Sequence, residues 1–156
     1  MKSVSFDQAA GYYDQTRGFP PGVGEVVAEA AADLIGPAQR VLEVGIGTGR
    51  IARPMIARGY AVTGIDLSGK MMARLLEALP PAAPRPALLQ GDAVQLPFAA
   101  GSFDAAVTVH VFHLIAGWRD AAGELRRCLK PGGVLLSGHD WRPDDHTGAL
   151  LQRHWR

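Results

Sequence analysis

The stretch Arg40-Val41-Leu42-Glu43-Val44-Gly45-Ile46-Gly47-Thr48-Gly49-Arg50 constrains this chain more than any other. Val41 to Val44 is a short apolar run of the kind a strand shows when both its faces are buried in a parallel sheet. Three glycines at alternate positions follow, and then a segment with helical character, predicted over Thr48 to Arg58. Glycines so close behind a strand let the backbone turn sharply and leave no Cβ between chain and ligand. The free N–H groups of the next helix then face that ligand and favour an anionic group such as a carboxylate. A chain with this signature is expected to build a cofactor loop at the end of a central strand.

The remaining pattern extends that unit in both directions. Val23 to Ile35 reads as a helix with apolar positions Val23, Val26, Val27, Ala30 and Leu34, bounded by Pro20-Pro21-Gly22 and Gly36-Pro37. Ala61 to Ile65 reads as a second strand ending at Asp66. Ser68 is the expected N-cap of a helix whose stripe is Met71, Met72, Leu75, Leu76 and Leu79. Ala87 to Gln90 and Phe103 to Val109 read as strands three and four. Trp118 to Leu129 reads as a helix, Lys130-Pro131-Gly132-Gly133 as its stop, and Val134 to Ser137 as strand five. Strands alternating with helices imply right-handed crossovers and an α/β fold, a doubly wound, Rossmann-like parallel sheet of order 3-2-1-4-5.

Composition excludes several function classes. At 156 residues one domain is expected, spanning 1–156. A formal net charge of +1 with mixed signs carries no nucleic-acid footprint. The one cysteine, Cys128, sits in a helical pattern and reads as a buried small hydrophobe, which fits a reducing compartment. No run approaches the length of a membrane span and residues 1–15 have no apolar signal region, so a soluble, cytoplasmic protein is expected.

The polar residues that carry chemistry fall where this topology puts strand ends: Glu43 with the glycine loop, then Asp66, Asp92 and His110. Ligands of doubly wound sheets bind at those carboxyl ends, near the switch point beside strand one. A dinucleotide loop wants its third glycine at relative position six, where this chain has Arg50, with Gly49 one place early. An acid after strand two, Asp66, can accept from both ribose hydroxyls of a nucleoside cofactor, a dinucleotide included. Asp92 followed by Ala93 fits an adenine edge, the carboxylate taking the exocyclic amine and the Ala93 N–H a ring nitrogen.

Glu43-x-Gly45-x-Gly47-x-Gly49, Gly64-x-Asp66-x-Ser68, Gly91-Asp92-Ala93, Leu96-Pro97-Phe98, Ser102-Phe103-Asp104 and Leu129-Lys130-Pro131-Gly132-Gly133 occur in the order and spacing of one family. From about Phe6 to Ser137 the chain resembles the class I S-adenosylmethionine (SAM) dependent methyltransferases. Within that class it is most similar to the small-molecule, quinone-biosynthesis-like members of methyltransferase type 11. The resemblance implies SAM as cofactor. Glu43, Gly45, Gly47, Thr48 and Gly49 would hold its methionine end, Asp66 with Leu67 its ribose, and Asp92 with Ala93 its adenine. His110 would lie beside the sulfonium. Phe6-Asp7 with Tyr13-Asp14 and Arg17 is similar to a segment that crosses the SAM pocket in that family, so residues 1–21 are expected to form a lid, with Tyr13 and Arg17 touching cofactor, over a cofactor-binding core at 40–137. Packing of the same segment as a plain amphipathic helix is the alternative.

Absences narrow the acceptor. After strand four the chain has His110-Val111-Phe112-His113. It lacks the Asn/Asp-Pro-Pro-aromatic turn of DNA amino-methyltransferases, the Pro-Cys pair of cytosine-C5 enzymes and the metal-binding acids of catechol-type enzymes. A small-molecule acceptor remains, with no metal. No catalytic residue is assigned; His110, His113, Tyr12, Tyr13 and His139 are the candidate bases on the rim. The chain also departs from the family after Ser137, where the usual antiparallel strands are not visible. A short helix is expected over Thr147 to Trp155, and the strand-five edge is expected to be covered by it or to promote self-association. Two other readings compete: a NAD(P)-dependent oxidoreductase, and a SAM-binding remnant without activity.

Overall fold

Short apolar strands separated by helices can bury both faces only in a sheet covered on both sides. The computed structural model, which describes residues 3–37 and 40–139, has this form. Its five strands are β1 (Arg40–Val44), β2 (Ala61–Asp66), β3 (Ala87–Gln90), β4 (Phe103–Val109) and β5 (Leu129–Gly138), in the order β3-β2-β1-β4-β5. Every pairing is parallel, with Glu43 of β1 opposite Gly64 on one side and Val107 on the other. The helices are α1 (Tyr13–Arg17), α2 (Val23–Ile35), α3 (Ala52–Ala57), α4 (Gly69–Ala78) and α5 (Trp118–Cys128), with a 3-10 turn at Phe112–Leu114.

Alternation along β1 sends its side chains into two cores. Val41 joins Ala28, Ala52, Met55, Val62 and Leu75 beneath α2, α3 and α4. Leu42 and Val44 join Ile65, Ala106, Leu125 and Cys128 beneath α5. Ser68 caps α4 as expected, its Oγ accepting from the Met71 N–H at 3.1 Å. On the far face Glu124 and Arg127 clasp the 96–98 turn: Arg127 donates to the Leu96 and Phe98 carbonyls at 2.9 and 2.6 Å, and the Leu96 N–H donates to Glu124 at 2.8 Å.

Several local expectations are corrected. The third helix starts at Ala52 rather than Thr48, because Gly47 and Gly49 hold positive φ (54° and 76°) and no helix can pass through them. In α2 the buried residues are Ala28 and Ala31, while Val26 and Leu34 are 64% and 66% exposed and Ala30 is exposed too. An alanine-rich helix offers two apolar stripes, and the one with the smaller side chains allows the closer approach to the sheet. Leu76 of α4 is exposed, leaving Met71, Met72, Leu75 and Leu79 as its buried stripe. Among the described residues of the 1–21 segment only Tyr13–Arg17 is helical. β5 begins at Leu129, not Val134: its pairing with β4 starts at Phe103↔Leu129 and resumes at Ala105↔Val134, so Pro131-Gly132-Gly133 bulges within the strand. Among the described residues β5 pairs on one side only, with β4, and no antiparallel pair occurs. The helix expected over 147–155 lies outside the described residues.

Candidate cofactor site

The carboxyl ends of β1, β2, β3 and β4 open onto one cleft of about 820 Å³, counting its open mouth. The loop after β1 forms its floor. The Gly45 N–H donates to the Ile65 carbonyl at 2.8 Å, and a Cβ at Gly45 would strike Val111 at 2.4 Å. Gly45 and Gly47 both hold a left-handed backbone, with φ 70° and 54°. They differ in surroundings: a Cβ at Gly47 would meet nothing closer than Met71 Cε at 3.5 Å, and Gly47 lines the cleft. Gly45 is therefore required by packing as well as conformation, and Gly47 by conformation beside open space.

Glu43 lines the cleft yet is only 4% exposed, and its Oε2 has no hydrogen-bond partner. Burial, then the neighbouring Asp66 charge, push its carboxyl from 4.5 up to about 8, against the opposing pull of Arg50. A buried orphan oxygen of this kind costs about 1–3 kcal/mol unless something supplies a donor. Asp66 is better served. Its Oδ2 accepts from the Gly47 N–H and its Oδ1 from the Ser68 N–H, each at 2.8 Å. Burial raises its pKa while those two bonds oppose the rise. A carboxylate offers about four lone-pair directions, so capacity remains for a ligand. At the end of β3, Asp92 accepts from the Val94 N–H at 3.2 Å, and Ala93 lines the cleft beside it.

The N-terminal segment closes over this rim. Ser3 Oγ donates to Asp92 Oδ2 at 3.1 Å, the Thr48 hydroxyl donates to Asp14 at 2.5 Å, and the Ser68 hydroxyl donates to Asp7 at 2.5 Å. The Val4 N–H donates to the Leu114 carbonyl at 3.1 Å. The Phe6 and Tyr13 rings meet edge to face at 5.5 Å, and the Arg50 guanidinium lies over Tyr13 and Phe19 at 5.6 and 4.8 Å. Its Nη1 also donates to the Arg17 carbonyl.

Ten of the twelve residues expected at the site line the cleft: Tyr13, Glu43, Gly45, Gly47, Thr48, Asp66, Leu67, Asp92, Ala93 and His110. Arg17 and Gly49 do not. Arg17 takes part through its backbone carbonyl to Arg50. Gly49 faces the core rather than the cleft: besides its positive φ, a Cβ there would sit 2.4 Å from Leu75 Cδ1. Sequence reasoning missed Ser3 and Arg50, which line the cleft, and the reach of Asp7 to Ser68. The repeated aromatic–acid pairs Phe6-Asp7 and Tyr13-Asp14 were the available signal for the straps; nothing marked Ser3. Among the described residues no group of His, Cys, Asp and Glu could hold a metal ion.

The family described as "Methyltransferase domain" matches residues 42–137. A methyltransferase of Mycobacterium tuberculosis whose role is uncharacterized is 33% identical over 144 residues, 92% of this chain and 54% of the relative. The chain thus spans about half the length of that curated relative. Among solved structures, a Methanococcus maripaludis protein superposes with a TM-score of 0.76 at 22% identity, over 89% of this chain and 66% of its own, a likeness of fold. The glycopeptide N-methyltransferase MtfA, solved with SAM, is 30% identical with a TM-score of 0.61, over 72% of this chain and 53% of its own. The sheet order, the acidic strand-end rim and the matched span agree: the chain belongs to the methyltransferase domain family, within the class I SAM-dependent methyltransferases.

Proposed function

We propose that this chain binds SAM and directs its methyl group to a small-molecule acceptor. The observation that carries the proposal is the buried Glu43 Oε2 without a donor, on the same rim as the half-satisfied Asp66 and Asp92. An ammonium supplies the donor that Glu43 lacks, two ribose hydroxyls match the open directions on Asp66, and an exocyclic amine matches Asp92. The residues present therefore fit the cofactor. When bound, the cofactor supplies a methyl group on a positively charged sulfur. The chain's own part is alignment and exclusion of water: the loop Gly45–Gly49 carries the methionine end, and Ile46, Ile51 and Leu114 give the cleft apolar walls.

In this reading residues 40–137 are the cofactor-binding core of one domain spanning 1–156, and residues 1–21 are a lid. Tyr13 covers the cofactor directly, and Arg17 secures Arg50. The Ser3–Asp92 and Thr48–Asp14 bonds use groups that a ligand would also engage, so the segment must shift when the cofactor enters. Among the described residues no helix is long and apolar enough to cross a membrane. A cytoplasmic location, an acceptor that is not nucleic acid, and self-association through the one-sided β5 edge, where Leu135 is 36% exposed, complete the proposal. A methyl-transfer assay with labelled SAM over phenols, amines, carboxylic acids and thiols tests the activity. Transfer to one class supports it, and binding of SAM with no transfer to any of them argues for a SAM-binding protein without this chemistry. Light scattering tests the β5 edge, a strictly monomeric chain removing that part.

A further inference from the structure

Behind the glycine loop lies a second cavity, of about 1180 Å³ counting its open mouth. Its walls are the 18–22 turn with the first residues of α2, then Arg50, then α3 with Arg53 and Pro54, and the 78–83 stretch at the end of α4. Arg50 alone lines both this space and the cofactor cleft.

Four charged side chains face the cavity: Asp14, Glu25, Arg50 and Arg53. The two acids belong to exposed residues, and Asp14 already accepts from the Thr48 hydroxyl at 2.5 Å. The two arginines are half-buried. Arg53 uses only its Nε, which donates to the Gly49 carbonyl at 3.3 Å; its two terminal nitrogens have no hydrogen-bond or ion-pair partner among the described residues. A planar guanidinium with an open edge matches a carboxylate, which accepts two parallel hydrogen bonds. The rest of the wall is apolar and stiff, built from Phe19, Pro20, Pro21, Pro54, Leu79 and Pro80. Proline rings hold φ fixed, so little of that wall has to be ordered when a flat ring settles on it.

Gly24 adds an independent observation. It is the second residue of α2, it lines the cavity, and its φ is not left-handed. A Cβ there would make ordinary contacts only, 3.5 Å to the Arg50 carbonyl oxygen and 3.9 Å to Phe19. Alanine would fit and would favour the helix more. Glycine at this position keeps the space beside Arg50 and Phe19 open.

We propose that this cavity is a second small-molecule site, separate from the cofactor cleft, for a ring-bearing carboxylate. The Arg53 and Arg50 guanidiniums take the carboxylate, and the Phe19 and proline wall takes the ring. The site does not depend on what the cofactor cleft binds.

The test uses 1-anilinonaphthalene-8-sulfonate, a fluorescent ring-bearing anion, titrated into the protein in the presence of saturating S-adenosylhomocysteine. The dye should bind saturably, be displaced by 1-naphthoate, and resist 1-naphthylmethylamine, which has the same ring and the opposite charge. Arg53→Gln removes a guanidinium, and Gly24→Leu fills the cavity from a helical position. Each should weaken the dye at least about tenfold, the scale of one lost charged contact. Leu34→Ser, which removes an exposed apolar side chain of α2 outside the cavity, should leave binding unchanged. Thermal melts establish that each variant is folded; if Arg53→Gln is not, Gly24→Leu decides alone. Absence of dye binding, fluorescence abolished by S-adenosylhomocysteine, displacement by the amine as readily as by the naphthoate, loss of binding in Leu34→Ser, or full-strength binding by either folded cavity variant would each overturn the proposal. If S-adenosylhomocysteine itself does not bind, the cofactor reading fails and the variants still decide this one.

Discussion

Replacing Glu43 by Gln should have opposite effects on stability and on ligand affinity. Glu43 is buried with an unpartnered oxygen, and its carboxyl is raised from 4.5 to about 8. A carboxyl whose folded pKa lies above its unfolded value holds its proton more tightly in the folded state. Its contribution to stability is therefore full below about pH 4.5 and drains as pH rises through 8. At 1.36 kcal/mol per unit, the loss between pH 6 and pH 8 is about 2 kcal/mol. For a chain of this size that is about 4–8 °C in melting temperature. Gln has the same shape and no charge to bury, so Glu43→Gln should melt near wild type at pH 6 and several degrees above it at pH 8. The same change removes the charge proposed to meet the ligand's ammonium, a charged hydrogen bond of about 1.5–3 kcal/mol, which weakens S-adenosylhomocysteine roughly 10- to 100-fold. Thermal melts from pH 5 to 8 and calorimetric titration at pH 7.5 read the two arms. Parallel pH profiles of the two proteins would refute the buried-charge argument, and stabilisation without loss of affinity would separate Glu43 from the ligand.

Three further predictions concern the same rim. Gly47→Val forces a branched residue into a left-handed backbone beside open cleft, and S-adenosylhomocysteine affinity should fall at least about tenfold, or 1.4 kcal/mol. Asp92→Asn should weaken adenosine more than inosine in competition binding; equal losses would show that Asp92 does not read the adenine amine. Trypsin should cut at Arg17 in the free protein and more slowly with S-adenosylhomocysteine present, because the N-terminal segment has few buried side chains. Identical cleavage rates would remove the lid.

The fold was legible because its signals were local and repeated. The run Val41 to Val44, the acid after β2, and the Ser68 cap each state their structure within a few residues, and the alternation of strands and helices then leaves few topologies. What was not legible depended on distant partners. Whether α2 turns Val26 or Ala28 inward is decided by the sheet beneath it, not by its own stripe. Gly49 carries the same letter as Gly47 but also answers to Leu75, 26 places further on, and packing between such distant positions is invisible to spacing rules. The Ser3–Asp92 bond spans 89 residues, and no pattern around a lone serine announces it. The left-handed His110 is a conformation rather than a composition, and only coordinates reveal it.

The central claim is that the rim formed by Glu43, the glycine loop, Asp66 and Asp92 is built for SAM. Calorimetric titration of this chain with S-adenosylhomocysteine and, separately, with NAD tests it most directly. One S-adenosylhomocysteine bound per chain, with an affinity reduced by Asp66→Ala and no heat from NAD, is the predicted result. Saturable binding of NAD with none of S-adenosylhomocysteine would contradict the account.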